Sequence, residues 1–179
     1  MMKAYSILFI LILLNINCFG QFTKTEKVNI IYSLKAELDD STTILTRTEG
    51  EINSMINLME INLVKDSLFP NQEFDSVVYS LFESHKKPDK IIYTKSIDKN
   101  QTIEFLRLIN NPLNFKWGEC GTPITEAKLE FLKNGVIIAS VSFACSHGQL
   151  FCEPKNEMIR WGYLNEKGNE ILDKIGLWR

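Results

Sequence analysis

The sequence predicts an α+β domain in which helices come first and an antiparallel β-meander follows. Apolar residues in the first half recur at helical spacing, whereas the second half contains alternating runs separated by turn signals. Helices segregated from an antiparallel meander are typical of α+β domains. One short helix is expected as an insertion among the strands, and another is expected at the C-terminal end.

The first half is expected to form helices. Apolar residues recur at three- and four-residue steps from Glu51 to Leu63, which predicts an amphipathic helix. Residues 28–34 fit either a strand or the start of a helix, and their spacing leaves the choice open. Pro70 ends the first helix, and Asn71 is expected to cap a second one. The apolar stripe of this second helix is formed by Phe74, Val77, Val78, Leu81 and Phe82.

Two turn signals organise the predicted sheet. The Asn-Gly pair at 134–135 predicts a hairpin between strands 126–132 and 136–145, because both residues tolerate a positive φ. The Gly-Gln pair at 148–149 predicts a second, two-residue turn, after which residues 150–153 return as a short strand. Apolar residues alternate with small polar ones along the central strand, so one sheet face is expected to be core.

The remaining elements follow from composition and capping. A strand rich in Ile, Tyr and Thr is predicted over 90–97, and a short helix capped by Asn100 follows it. Residues 158–164 are a further strand candidate. Asn165 is expected to cap the last helix, and Gly176 is expected just past its end, where a left-handed residue is favoured.

The first twenty residues have the features of an export signal. Lys3 supplies a positive start, residues 4–14 supply an apolar run, and Cys18 and Gly20 place small residues before a cut at Gln21. The apolar run is shorter than the roughly 20 residues that a membrane-spanning helix needs. No membrane span is therefore expected in the mature protein.

Cleavage near Gly20 would divide the chain into a signal peptide, residues 1–20, and a single domain, residues 21–179. The mature protein is then expected to be soluble and either secreted or periplasmic. A competing prediction is a lipid-anchored envelope protein processed at Cys18, although the asparagines at 15 and 17 fit such a site poorly. Mass spectrometry of the mature N-terminus distinguishes the two predictions.

Charge and motifs narrow the class of function. The formal net charge is −2, which gives no basic face for a nucleic-acid partner. The sequence contains no Gly-rich phosphate loop, no H-E-x-x-H and no G-x-S-x-G. No cofactor and no metal are therefore predicted, and a non-enzymatic role is favoured over a catalytic one.

Three cysteines would remain after cleavage, and their odd number suggests one disulfide and one thiol. A two-residue turn at 148–149 would place Cys145 opposite Cys152 on the hairpin, within the distance range of a disulfide. We therefore expect a Cys145–Cys152 disulfide. Pairing of Cys120 with either residue, or three buried thiols, are the alternatives that the sequence leaves open.

The same cysteines and His147 suggest two more specific kinds of site, a zinc site and a catalytic thiol. Cys120, Cys145, His147 and Cys152 are the ligand types of a zinc site, but their spacing lacks the close cysteine pairs of familiar zinc modules. Alternatively, Cys120 would act as a nucleophile with His147 as its base in a small thiol-dependent enzyme. A simple turn position for His147 is the favoured interpretation over both.

The favoured hypothesis is an exported, non-catalytic binding or protein-interaction domain, of an inhibitor- or immunity-like kind. Its partner would be another protein or a small ligand. Loops on a rigid sheet often carry the contacts of such domains, and aromatic side chains often dominate them. The candidate binding residues lie in or next to two loops, 115–123 and 146–150, and are Phe115, Trp117, Glu119, His147, Gln149 and Phe151.

Overall fold

The computed structural model confirms the α+β class. It describes residues 22–40, 47–64, 68–83, 90–116, 118, 122–146, 148–159 and 162–177. Within these ranges the chain forms α-helices and one seven-stranded antiparallel sheet. Over the same ranges, no helix has both the length and the apolar character needed to cross a bilayer.

Two helices open the described chain and two more are placed among and after the strands. The helices are α1 (Lys24–Asp39), α2 (Glu49–Val64), α3 (Lys99–Ile109) and α4 (Glu166–Ile175). The strands are β1 (Ser76–Phe82), β2 (Ile91–Ser96), β3 (Phe115–Lys116), β4 (Thr125–Lys133), β5 (Val136–Ala144), β6 (Gln149–Glu153) and β7 (Tyr163–Leu164). Short 3₁₀ turns occur at Pro112–Asn114 and Glu157–Ile159.

The strands lie in the order β2-β1-β4-β5-β6-β7-β3. Alternate residues of each strand point to opposite faces, and one face, the inner face, carries the main core. Helices α3 and α4 cover the inner face, and the rings of Phe105 and Phe143 lie 5.8 Å apart between centroids. Fully buried side chains of this core include Tyr79, Leu129, Phe131 and Val141.

Helices α1 and α2 form a hairpin with its own apolar cluster. Leu34, Ile52 and Met59 are fully buried between the two helices, and Met158 closes the cluster from the far end of the chain. The hairpin also contacts α3, where Arg107 forms an ion pair with Glu26 at 3.1 Å. The described residues thus form two apolar clusters, one on the sheet and one within the helical hairpin.

The opposite side of the sheet, the outer face, is polar and mixed in character. Cross-strand pairing places one row of side chains across five strands, and this row is Thr94, Ser80, Lys128, Ser142 and Phe151. Neither apolar cluster includes any residue of this row. The described helices therefore bury their apolar residues on the inner side, and the outer face presents its side chains away from them.

The predicted second helix is wrong, because residues 76–82 form strand β1. Val77 and Tyr79 are buried on the inner face, and Leu81 packs against the same core, which is strand alternation. The strand pairs with β2 on one side and with β4 on the other. These long-range hydrogen bonds override a local apolar spacing that also fitted a helix.

The structure also defines two segments and one helix cap that the local sequence pattern left open or placed differently. Residues 28–34, which the spacing left undecided, belong to α1. The strand predicted over 158–164 is reduced to a 3₁₀ turn followed by β7, which is only two residues long. Helix α3 is capped by Asp98, whose carboxylate accepts from the Gln101 amide, two residues earlier than the predicted Asn100 cap.

The C-terminal helix begins and ends where the sequence predicts. Asn165 Oδ1 accepts a hydrogen bond from the amide of Gly168 at 2.9 Å, and Gly176 ends the helix with φ of +70°. A residue in this left-handed region is ordinarily glycine. The hairpin at 134–135 is confirmed as well, since it joins β4 to β5.

Candidate functional site

The connection between β5 and β6 is longer than the sequence predicts. Strand β5 ends at Ala144, which pairs with Gln149, so residues 145–148 form the connection. Cys145 and Ser146 both have positive φ, at +53° and +54°. The two-residue turn predicted at 148–149 is therefore wrong. Each residue of β5 consequently pairs with a different residue of β6 from the one that the predicted turn would give.

This register separates the two cysteines predicted to be bridged. Cys152 lies opposite Val141, and its sulfur is a free thiol. The predicted Cys145–Cys152 disulfide is therefore wrong, because Cys145 lies in the turn and not opposite Cys152. No disulfide joins two residues of the described ranges.

The chemistry of Cys152 is set by its packing. It points to the inner face and packs against the main core. Burial raises the pKa of this thiol far above its ordinary value, because an apolar surrounding disfavours the thiolate. A thiol held in its neutral form is a poor nucleophile and a poor metal ligand, since both roles use the thiolate.

A second row of the outer face runs beside the turn. Ala144 pairs with Gln149, Gln149 pairs with Tyr163, and Tyr163 pairs with Lys116. Gln149 and Tyr163 thus stand next to each other on the outer face. Phe151 is two residues along β6 from Gln149 and shares its face. We call Cys145, Gln149, Phe151 and Tyr163 the sheet corner.

Tyr163 contacts both Cys145 in the β5–β6 turn and the backbone of Gly118. Its hydroxyl donates to Cys145 Sγ over 3.9 Å, and Gln149 Oε1 lies 3.4 Å from the same sulfur. The backbone at Gly118 lies against the face of its ring, where a Cβ atom would come within 2.5 Å of Tyr163 Cγ. Only glycine permits this approach, so the backbone of Gly118 lies beside Tyr163 next to the turn.

The turn itself is held by a carboxylate from β4. The amide of Ser146 donates to Glu126 Oε1 at 2.9 Å. Glu126 lies at an irregularity in the β4–β5 pairing between Thr125 and Ala127, which aims its side chain at the turn. A charge-assisted hydrogen bond of this kind fixes an otherwise exposed backbone segment.

The predicted binding residues divide into three groups. Phe151 is 41% exposed on the outer face and Gln149 beside it is half-buried, so both are placed where a partner can reach them. Phe115 is wrong as a surface candidate, because it is 5% exposed and belongs to the main core. The binding candidates Trp117, Glu119 and His147 lie outside the described residues.

Tyr163 of the sheet corner and the adjacent Gly118 were not singled out as binding candidates from the sequence. The proximity of Tyr163 to the turn depends on the pairing of β6 with β7, which joins segments 14 positions apart through a single residue pair. For Gly118, the sequence offers one local indication, the Trp-Gly-Glu-Cys-Gly run at 117–121. A glycine among bulky residues can mark a place where another part of the protein approaches the backbone closely.

The zinc and thiol-enzyme hypotheses both depend on Cys120 and His147, which lie outside the described residues. Across the described ranges, no cluster of three or more His, Cys, Asp or Glu side chains is arranged to hold a metal ion. The described part of the site therefore offers hydrogen-bonding groups and an exposed ring, and both chemical hypotheses stay predictions.

A separate cavity of about 150 Å³ lies on the helical side of the domain. Leu58 of α2 and Met158 contribute apolar walls, and Asn71 and Asn156 contribute polar ones. None of the residues of the sheet corner lines this cavity. This cavity and the exposed ring of Phe151 therefore lie at different places.

Comparison of the chain with models of protein families, with curated proteins and with solved structures returned no match.

Proposed function

We propose that this chain is an exported, non-catalytic binding protein that contacts a protein partner through the sheet corner, in an inhibitor- or immunity-like role. The observation that carries the proposal is Phe151, an aromatic side chain that is 41% exposed on a rigid strand, with Gln149 and Tyr163 beside it. Aromatic anchors of this kind supply much of the affinity at protein interfaces.

The surroundings of Phe151 suit a protein partner. Ser142 pairs with it on one side, and Lys128 follows in the same row, where it forms an ion pair with Glu130 at 3.1 Å. An apolar ring within hydrogen-bonding and charged groups matches the anatomy of interfaces, in which a buried anchor is surrounded by a polar rim. Because these residues lie on paired strands, the surface is organised before binding and loses little entropy.

The chemistry of Cys152 supports binding more than catalysis. Its side chain packs against the core, and burial raises the pKa of the thiol. Export through the leader, residues 1–20, is part of the same proposal. It is supported by the positive start and apolar run of that segment and predicts a mature N-terminus at Gln21.

Site-specific photo-crosslinking tests the proposal. A benzoylphenylalanine residue is placed at position 151 of the full chain, expressed in its source cells, and adducts are identified by mass spectrometry. The matched control is position 137, because Ile137 is 51% exposed at the far end of β5 and pairs with Leu132. We expect one protein adduct from position 151 that position 137 does not give.

The substitution Phe151→Asp should then weaken binding of the captured partner at least about tenfold, since truncating a buried aromatic anchor costs more than about 1.4 kcal/mol. Ile137→Asp, which places the same charge on the same sheet, should leave the affinity within about twofold. Equal adducts from both positions, or an unchanged affinity of the Phe151→Asp variant, would refute the sheet corner as the contact surface.

A further inference from the structure

We propose that the cavity on the helical side of the domain is a binding site for a small aromatic carboxylate, an anion of the size of benzoate. The cavity has a volume of about 150 Å³. Its described walls come from α2, from residues 68–71 and from the segment that follows β6. Because the sheet corner contributes no residue to these walls, the inference goes beyond the proposed function and does not depend on it.

The apolar walls of the cavity set the size and the apolar part of the ligand. Leu58, Leu68 and Met158 line it from the hairpin cluster, and Phe69 lines it from the main core. Pro154 adds a further apolar wall. The cavity thus lies where the two apolar clusters meet. An apolar cavity of about this volume can take up benzene, so a single aromatic ring fits the space.

Two buried asparagines hold the walls in place. Asn110 Oδ1 accepts from the Phe69 amide at 3.0 Å, and Asn110 Nδ2 donates to the Phe69 carbonyl at 2.6 Å. Asn156 Nδ2 donates to the Ile109 carbonyl at 2.9 Å, and Asn156 Oδ1 accepts from the Met158 amide at 3.0 Å. These bonds fix the backbone on two sides of the cavity. A cavity formed before binding loses little entropy when a ligand enters it.

Lys155 sets the charge of the ligand. Among the described residues that line the cavity, it is the only one with a charged side chain, and it is exposed to solvent. An ammonium group has three N–H donors, so it can bind a carboxylate while it keeps another contact. The amide of Asn71, which also lines the cavity, can donate to the same carboxylate. An aromatic ring against the apolar walls and a carboxylate at Lys155 together define the ligand class.

NMR of methionine methyl groups labelled with ¹³C tests the site in the purified wild-type protein. Benzoate should shift the Met158 methyl signal, because the ring current of the bound ligand acts on a side chain that lines the cavity. Met55 is the internal control, since it is 4% exposed in the same hairpin cluster but does not line the cavity. The signal of Met158 is assigned with Met158→Leu. We expect a dissociation constant of about 1 mM or lower, as for other ligands of this size.

The substitution Lys155→Gln tests the role of the charge. At low ionic strength it should weaken benzoate binding about threefold or more, since an exposed ion pair is worth up to about 1 kcal/mol. The matched variant is Lys167→Gln, which removes an exposed lysine from α4 and should leave benzoate binding unchanged. Benzyl alcohol has the same ring without the carboxylate, so its affinity should be equal for the wild-type protein and for Lys155→Gln.

Each outcome supports or overturns a stated part of the inference. An unshifted Met158 signal at the highest soluble benzoate concentration, or equal shifts of Met55 and Met158, would overturn the cavity as the binding site. An unchanged benzoate affinity of Lys155→Gln would overturn the carboxylate as the recognised group. All of these measurements use purified protein and small molecules, so their results are independent of the photo-crosslinking at position 151.

Discussion

Gly168 shows how the absence of one side chain allows a close contact. It lies in the first turn of α4, where glycine costs about 1 kcal/mol in helix propensity. A Cβ atom there would come within 2.5 Å of the Asn114 carbonyl oxygen and 2.9 Å of Leu164 Cδ2. The Asn114 carbonyl also accepts from the amide of Asn165, so α4 begins directly on the 3₁₀ turn. Glycine lowers the helix propensity at this position, but a residue with a Cβ atom would prevent this close packing.

Replacing Gly168 by alanine should destabilise the protein by about 1–3 kcal/mol, because the new methyl group meets a backbone oxygen that cannot move freely. Gly50 in α2 provides the control, since nothing lies within 4 Å of a Cβ atom there. Gly50→Ala should be neutral or stabilising by up to about 1 kcal/mol. Urea denaturation of the two variants measures both effects, and equal midpoints would contradict the proposed contact.

At the scale of elements, helix α1 is fixed by its first turn. The Thr23 hydroxyl oxygen accepts from the Glu26 amide, and the Glu26 carboxylate accepts from the Thr23 amide at 2.7 Å. This capping box satisfies two backbone donors that the helix cannot pair internally. Hydrogen bonds from the Thr23 amide and hydroxyl lower the pKa of Glu26, and the charge of Arg107 acts in the same direction.

The lowered pKa of Glu26 makes the start of α1 sensitive to acid. A carboxyl group whose pKa is lower in the folded protein stabilises it above the unfolded pKa, near 4.5. That contribution is lost as the pH falls through the folded pKa. Between about pH 6 and pH 3, the wild-type protein should therefore lose more stability than Glu26→Gln, whose amide oxygen can still accept from Thr23.

Denaturant unfolding at the two pH values measures this difference, because the other carboxylates are common to both proteins. Thr23→Ala tests the same cap at neutral pH and should cost about 1 kcal/mol. Equal losses of stability by the wild-type protein and Glu26→Gln would exclude a contribution of this carboxylate to the acid sensitivity.

At the scale of the whole molecule, Arg47 joins the helical hairpin to the sheet. It is 7% exposed and pairs with Glu37 at 2.9 Å through one guanidinium nitrogen. Another nitrogen donates to the carbonyl of Phe115 at 2.7 Å and to that of Pro112. One planar cation thus holds α1, the start of α2 and the segment that leads into β3. The two apolar clusters are connected through this polar contact as well as by packing.

Replacing Arg47 by methionine should destabilise the protein by about 3 kcal/mol, because two buried carbonyl groups and a half-buried carboxylate lose their partner. The control is Lys35→Met on the same hairpin, where Lys35 and Glu60 are each 50% exposed and 3.2 Å apart. An exposed pair of this kind is worth less than about 1 kcal/mol. Thermal unfolding of both variants gives the comparison, and similar melting temperatures would show that Arg47 is not a structural link.

The candidate site was predictable in part. The sequence singled out Gln149 and Phe151 by their place near a turn, and the structure puts both on the outer face. It also singled out Phe115, which the structure buries, because the inward or outward direction of a two-residue strand depends on its pairing with β7. Loop composition indicates where function can lie, but it does not determine which ring faces solvent.

The sequence by itself determined the α+β order, the hairpin at 134–135 and the caps of the last helix at Asn165 and Gly176. Each of these depends on backbone preferences that act over a few residues. The tertiary structure alone decided that residues 76–82 form a strand and that Cys152 lies opposite Val141. Both outcomes follow from hydrogen-bond register and burial against distant segments, whose free energy exceeds the local preference of a short apolar run.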